Sequence, residues 1–323
     1  MFSLLKSYGP ASTAVFRTNV TRLNNTVINN SSLSIPLLTT GIANSYSTTK
    51  TSTTDPRTSH TKMMKNKVCF ITGAAGGIGH GIAQRYLAEG AKVAIADLNG
   101  PLTEQVCRTL NDTYPGCVLP LTVDITSEEQ VGAAIGATVK QFGGLDVVVS
   151  NAGFQHIEPI EELSLANWRK MLAVHLDGAF LCAKFGIQEF KKDVNRGGSL
   201  IFIGSVHSKY ASEFKAPYVT AKHGLEGLTR SCAREGAKYN VKSNMICPGF
   251  VRTALVEKQI PEIASKLNIS QEQVIKSVML KDTVDGEFTT FDDINDVAVM
   301  FASAPSKALT GQSLIVSHGW IME

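Results

Sequence analysis

Tyr218 and Lys222 stand four residues apart, so on a helix they share one face. That pairing suits proton transfer. A free tyrosine titrates near about pH 10 and is a poor base at neutrality. A fixed ammonium beside it favours the phenolate and brings the base toward its working range. Ser205 lies thirteen residues before Tyr218, where its hydroxyl can hold a substrate oxygen while the tyrosine moves the proton. Alone, each feature is ordinary: many helices carry a Tyr-x-x-x-Lys spacing by chance, and a surface pair is its plain reading.

A second group lies upstream. Gly73-Ala74-Ala75-Gly76-Gly77-Ile78-Gly79 joins an apolar run to a helical one. Glycines there let the chain turn sharply, approach a pyrophosphate and pack helix on strand, while the helix N-terminus offers free amides to the phosphates. Asp97 follows Gly77 by twenty residues and closes the next apolar run, where an acid can bind a ribose 2′-hydroxyl. The same acid repels a 2′-phosphate, and no Arg or Lys stands in the glycine loop to attract one. NAD is therefore expected as cofactor rather than NADP. The order of loop, Ser205, Tyr218 and Lys222 turns weak signals into a joint one.

The elements that must position these groups follow from hydrophobic spacing. Short, continuously apolar runs predict strands at 68–72, 92–97, 118–123, 145–150, 200–203, 242–246 and 313–316. Helical spacing predicts helices at 78–89, from Asn99 onward, up to about residue 142, and at 167–190, 218–239 and 292–302. Asn99 before Pro101 suits an N-cap, and Thr126 with Glu129 suits a capping box. Strands that are apolar throughout, alternating with helices, indicate a parallel sheet covered on both faces. The expected fold class is therefore α/β: one doubly wound, Rossmann-like sheet with ligands at the strand carboxyl ends, plus a small lid over about 255–280 that closes on the substrate.

Composition narrows the class further. The 323 residues are 43% hydrophobic with a net charge of +3, which gives no nucleic-acid footprint. No apolar run is long enough for a membrane span. The six cysteines are scattered without a C-x-x-C pair, so reduced thiols are expected rather than a disulfide framework or a metal site. Residues 1–62 differ from the rest: they are rich in Ser, Thr and Asn, with Asp55 as the sole acid. Such a segment buries too little apolar surface to order itself. With basic residues among Phe2, Leu4, Leu5, Val15 and Phe16, it reads as a mitochondrial transit peptide, giving a matrix location, or otherwise a cytoplasmic one. Residues 63–323 then form the catalytic domain.

From Lys67 to Trp320 the chain resembles the short-chain dehydrogenase/reductase family. The resemblance rests on the T-G-x-x-x-G-I-G loop at 72–79, on Asp124-Ile125, on Asn151-Ala152-Gly153, and on Ser205, Tyr218-x-x-x-Lys222 and Pro248-Gly249. It implies that Tyr218 is the general acid/base, that Lys222 lowers its pKa and holds the nicotinamide ribose, and that Ser205 orients the substrate oxygen. It implies cofactor contacts from Thr72, Gly73, Gly77, Ile78, Gly79 and Asp97. Asp124 and Ile125 would flank the adenine, Asn151, Ala152 and Gly153 the adenosine ribose, and Pro248, Gly249, Val251 and Thr253 the nicotinamide. A homotetramer is typical of the family, associating through the helices at 167–190 and 218–239. One departure stands out: His175 occupies the place of an asparagine that usually helps hold a proton-relay water. It either serves the relay or packs as a satisfied core histidine.

Within the family the resemblance is greatest to the bacterial-type D-3-hydroxybutyrate dehydrogenases. It lies in Asn151 to His156, in Ser205-Val206-His207, in Lys215 with Tyr218, in the run at 256–260 and in Trp320. It implies that Gln155, His207, Lys215 and Gln259 hold a substrate carboxylate while Trp320 helps close the pocket. The chemistry agrees, because a four-carbon hydroxy acid has little apolar surface and must be held by its charge. Phe250, where that group usually has tryptophan, and Ser317-His318-Gly319, in place of Asp-Gly-Gly, depart from the pattern. Two alternatives stay open: a reductase for another hydroxyacyl or secondary alcohol substrate, and a non-catalytic NAD-binding regulatory protein on the same fold.

Overall fold

Every strand of the sheet runs parallel. In the computed structural model, which describes residues 62–323, seven strands line up in the order β3-β2-β1-β4-β5-β6-β7. They are β1 (Val68–Thr72), β2 (Lys92–Asp97), β3 (Val118–Thr122), β4 (Val147–Ser150), β5 (Gly198–Ile203), β6 (Val241–Pro248) and β7 (Ser313–Val316). β1 is buried along its whole length, as an inner strand covered on both faces must be. β3 is an edge strand and carries Pro120, whose missing N–H is tolerated there. The expected leader falls almost wholly at 1–61, outside the described residues.

Helices cover both faces. On one side α1 (Gly77–Ala88), α2 (Gly100–Thr113) and α9 (Phe291–Ser303) bury Ile82, Tyr86, Leu110, Ile294 and Phe301 against the sheet. Tyr86 Oη donates to the Ala298 carbonyl at 2.8 Å, tying α1 to α9. On the other side α3 (Glu128–Phe142), α5 (Gly178–Phe190) and α6 (Ala216–Gly236) bury Ile135, Phe190 and Leu225. Cys69, Cys107, Cys182, Cys232 and Cys247 are buried among these side chains. No helix among the described residues is long and apolar enough to cross a membrane.

Three local readings change. The N-cap of α3 is Ser127, whose side chain accepts from the Gln130 amide at 3.3 Å, because Thr126 is taken up by Asp124. The helix expected at 167–190 is interrupted: α4 (Leu165–Leu172) passes through a π turn at Ala173–Asp177 before α5. Such bulges concentrate at functional sites, and this one carries His175. The lid expected over about 255–280 is divided into α7 (Ala254–Leu267), α8 (Gln271–Val274) and a π turn at Ile275–Met279, with its own small core of Val256, Ile260, Val274, Met279 and Leu280.

Candidate active site

Strand order reverses between β1 and β4, and the loops leaving these two strands open a crevice at their carboxyl ends. The loops are tied together. Thr72 Oγ1 accepts from the amides of Asn151 (3.0 Å) and Ala152 (3.2 Å), and Asn151 Nδ2 donates to the carbonyls of Thr72 (2.9 Å) and Gly73 (3.0 Å). Two glycines make this closeness possible. A Cβ on Gly73, at φ 62°, would lie 2.7 Å from Ala152 Cα, and one on Gly79 would lie 2.5 Å from the Gly73 carbonyl oxygen.

A cleft of about 520 Å³ runs from these loops to the lid. At one end Gly73, Gly76, Gly77 and Ile78 line it beside Asp97, Asn99 and Leu102. Asp97 accepts from the Ala75 amide at 3.2 Å and from the Asn99 amide at 3.1 Å, which fixes its carboxylate at the rim. Asn151, Ala152, Gly153, Pro248, Gly249, Val251 and Thr253 line the middle. The residues present fit a dinucleotide: a glycine cradle that a Cβ would fill, the N-terminus of α1, and a carboxylate at the end of β2. Thr72 and Gly79 do not line the cleft; Thr72 Oγ1 ties the two loops together and Gly79 lies against the Gly73 carbonyl. Asp124 and Ile125 do not line it: Asp124 accepts from Thr126 in its own turn, and Ile125 packs against Gly178.

The other end gathers Ser205, Tyr218 and Lys222. Ser205 follows β5 and caps the short 3₁₀ turn Val206–Ser208. Tyr218 and Lys222 sit in the first two turns of α6, with Lys222 Nζ 5.4 Å from the tyrosine ring centroid. Burial pushes the Tyr218 phenol up to about 12, with its hydrogen bond to Ser205 working against the shift. Lys222 is itself pushed down to about 8 by burial, and its ammonium donates to the Ile203 carbonyl at 2.6 Å. The lowering of the tyrosine expected from Lys222 does not appear; burial sets the direction of its shift.

His175 packs edge-on against Tyr218, ring centroids 5.2 Å apart. Burial, followed by the Lys222 charge, pushes its imidazole down to about 3, so it is neutral. Its Nε2 lies 2.7 Å from the Phe154 carbonyl oxygen and 3.1 Å from the Phe154 amide, and its Nδ1 is buried with no protein partner. Half of the ring is therefore satisfied by backbone, and the other half is left for a hydrogen bond that the protein does not supply. Phe154 also lines the cleft; its hydrogen bonds come from its backbone, which sequence reasoning does not see.

Gln155, His207, Lys215, Gln259, Phe250 and Trp320 meet beside Tyr218, contributed by separate segments of the chain. Lys215 Nζ lies 3.5 Å from His207 Nε2 and 5.8 Å from the Phe250 ring centroid. His207 Nδ1 faces the Tyr210 carbonyl at 3.2 Å, and the ring is held neutral, down to about 4, by burial and then by Lys215. With its proton on Nδ1, Nε2 is an acceptor. That nitrogen faces the Lys215 ammonium at 3.5 Å and the Ser212 hydroxyl at 3.4 Å. Gln155 Oε1 is buried without a protein partner, and Gln259 is buried. Trp320 stacks on Phe250 with centroids 4.9 Å apart and planes 3° from parallel.

Residues 73–321 match the family described as enoyl-(acyl carrier protein) reductase. A D-beta-hydroxybutyrate dehydrogenase from Rhizobium meliloti (strain 1021) is 37% identical over 79% of this chain and 98% of its own length. The chain belongs to the short-chain dehydrogenase/reductase family. A D-beta-hydroxybutyrate dehydrogenase from Cupriavidus necator is 31% identical to this short-chain dehydrogenase over 81% of the chain and all of its own length. A solved structure of sorbitol-6-phosphate 2-dehydrogenase from Erwinia amylovora superposes with a TM-score of 0.76 at 28% identity, covering 79% of this chain and 100% of that one. The protein is an oxidoreductase of this family with its Rossmann-like fold, which implies a nicotinamide dinucleotide cofactor.

Proposed function

We propose that this enzyme oxidises a short hydroxy acid to its keto acid with NAD, D-3-hydroxybutyrate to acetoacetate being the best fit. One observation carries the substrate class: Lys215 reaches the reacting end of the cleft together with Gln155, Gln259, Phe250 and Trp320. Lys215 and Lys222 are the cations among the described residues that line the cleft, and Lys222 is engaged by the Ile203 carbonyl. Lys215 is thus placed to meet an anionic group a few atoms from Tyr218. Relatives on this fold carry other names, so the pocket rather than the fold must decide the substrate.

When bound, NAD supplies the hydride acceptor at its nicotinamide ring. The chain does the rest. Tyr218 takes the hydroxyl proton, Ser205 holds the substrate oxygen as it becomes a carbonyl, and Lys215 with Gln155 and Gln259 fixes the carboxylate. His175, through its unpartnered Nδ1, holds a proton-carrying water against the Tyr218 edge. The lid helices α7 and α8 close over the substrate and exclude water. Leu165 and Phe180, 60% and 49% exposed on α4 and α5, support the association of four copies through this segment and α6, which light scattering reads.

The deciding experiment is NADH formation from D-3-hydroxybutyrate, L-3-hydroxybutyrate and a neutral secondary alcohol. Turnover confined to the D-acid is the expected result. Preference for the neutral alcohol would remove the carboxylate from the reading and leave the dehydrogenase.

The cofactor preference has its own test. Asp97→Asn is expected to lower kcat/KM with NAD about tenfold, the usual size of one charged hydrogen bond, while activity with NADP rises as repulsion is relieved. An equal loss with both cofactors would show that Asp97 supports the glycine loop and does not select the ribose.

A further inference from the structure

His318 lies between the end of β7 and Trp320, and its backbone sits in the left-handed region at φ 51°. A side chain with a Cβ is strained there unless its surroundings hold it. Two carboxylates do so. His318 Nδ1 lies 2.6 Å from Asp285 Oδ2, and Nε2 lies 3.6 Å from Asp293 Oδ2. The His318 carbonyl also accepts from the Val284 amide at 2.9 Å. Asp285 belongs to the turn that follows Leu280, a member of the lid's own core. Asp293 stands in the first turn of α9, where it also accepts from the Thr290 amide and hydroxyl. These are the charged groups that face the imidazole.

What this arrangement fixes is the short turn from Ser317 to Trp320. Trp320 donates its amide to the Ser317 carbonyl at 3.1 Å, and its indole then lies flat on Phe250 and edge-on to His207, 6.0 Å between centroids. A shift of the turn moves the indole with it. We propose that His318, as an imidazolium held by Asp285 and Asp293, is a positioning residue that pins this turn to the segment following the lid and to the start of α9, and so keeps Trp320 over the substrate pocket. The pocket itself is the one read above, so this inference rests on that reading and adds a pH-sensitive contact to it.

The sign follows from the partners. Hydrogen bonding to Asp285, and then the charges of Asp285 and Asp293, raise His318 above its ordinary value. The pin therefore keeps its charge to higher pH than a free imidazole and is lost as pH climbs through the raised pKa. His207, the other imidazole near the indole, titrates far lower, at about 4, and does not share that step.

The chain has two tryptophans, Trp168 and Trp320, so Trp168→Phe leaves Trp320 as sole reporter. Acrylamide quenching of its fluorescence, without substrate, is expected to be weak below the ordinary imidazole range and to step up above it, as His318 loses its proton. His318→Asn keeps a residue type that tolerates left-handed backbone; it is expected to lose the step and to quench at the high-pH level throughout. Asp285→Asn is expected to move the step to lower pH, and it carries the test if His318→Asn does not fold. Across the same step KM for the hydroxy acid rises up to about fivefold with kcat moving less, the reach of a half-exposed ion pair. A flat quenching profile, or a step that survives in His318→Asn, overturns the proposal. Lys215→Ala separates the two readings: unchanged turnover of the acid alongside a quenching step discards the carboxylate site and keeps the pin, while lost turnover without a step does the reverse.

Discussion

Replacing Tyr218 with phenylalanine is expected to lower turnover about 10³-fold, within the usual range for a positioned acid or base, and to leave dinucleotide affinity nearly unchanged. The ring stays in its place between His175 and His207, whose edges meet it at 5.2 Å and 5.9 Å, so packing is preserved and only the phenol is lost. The glycine cradle and Asp97 lie at the other end of the cleft and keep their geometry. The pH dependence tells the same story. With the phenol pushed up to about 12, its base form is a minority at neutrality and grows with pH, so oxidation by the parent enzyme is expected to speed up as pH rises. Keto-acid reduction needs the protonated phenol, which is already present at neutral pH, and is not expected to share that rise. In Tyr218→Phe the residual oxidation should lose the slope. Calorimetry with NAD and steady-state rates against pH check both halves. Unchanged turnover would move the proton to another group and reopen the non-catalytic reading of this fold; lost NAD binding would show that the phenol holds the cofactor rather than the reacting oxygen.

The parts of this site that are legible in the sequence are those set by local backbone chemistry. Gly73 reads as a turn because its φ of 62° and its approach to Ala152 exclude a side chain. β1 reads as an inner strand because all five residues are apolar enough, or small enough, to be buried on both faces. Asn99 reads as an N-cap because its side chain has one obvious amide to reach, that of Leu102 at 3.2 Å. Legibility ends where two local solutions compete. Thr126 and Ser127 can each cap α3, and the choice falls to Ser127 because Asp124 captures the threonine through a contact invisible to spacing alone. The π turn at Ala173–Asp177 is another case: nothing in Ala-Val-His-Leu-Asp demands an extra residue, and the ring of His175 meeting the Phe154 backbone depends on a loop far away in sequence. Charge states are hidden for the same reason. Four-residue spacing puts Tyr218 beside Lys222, but how deeply both are buried is a property of the closed cleft, and that burial shifts both pKa values away from the simple expectation.

Lys215→Gln is expected to lower kcat/KM for a short hydroxy acid about 10- to 150-fold, the loss that follows when a charge-assisted hydrogen bond is removed from a desolvated carboxylate. Glutamine is one atom shorter but keeps a donor, so the change removes the charge with little loss of packing. The environment makes that charge valuable. Burial lowers the Lys215 pKa, the Phe250 ring lies 5.8 Å beneath the ammonium, and His207 presents an acceptor to it at 3.5 Å. An isolated cation is costly in such a place, and a substrate carboxylate relieves that cost while it is bound. Binding then draws the lysine back toward its protonated form. Because the shift of the free protein is downward, Lys215 is charged at low pH and loses its proton earlier than an exposed lysine as pH rises. KM for the acid is therefore expected to climb on the alkaline side in the parent enzyme, while Lys215→Gln shows a KM already high that loses this climb and keeps only the smaller step that follows His318. A neutral secondary alcohol of the same length separates charge from structure. Its turnover, however slow, is expected to be nearly equal in parent and variant, because Tyr218, Ser205 and the cofactor cradle are untouched. Equal losses for acid and alcohol would mean that Lys215 only supports the loop before α6, and the pocket would then have to hold its substrate through shape alone.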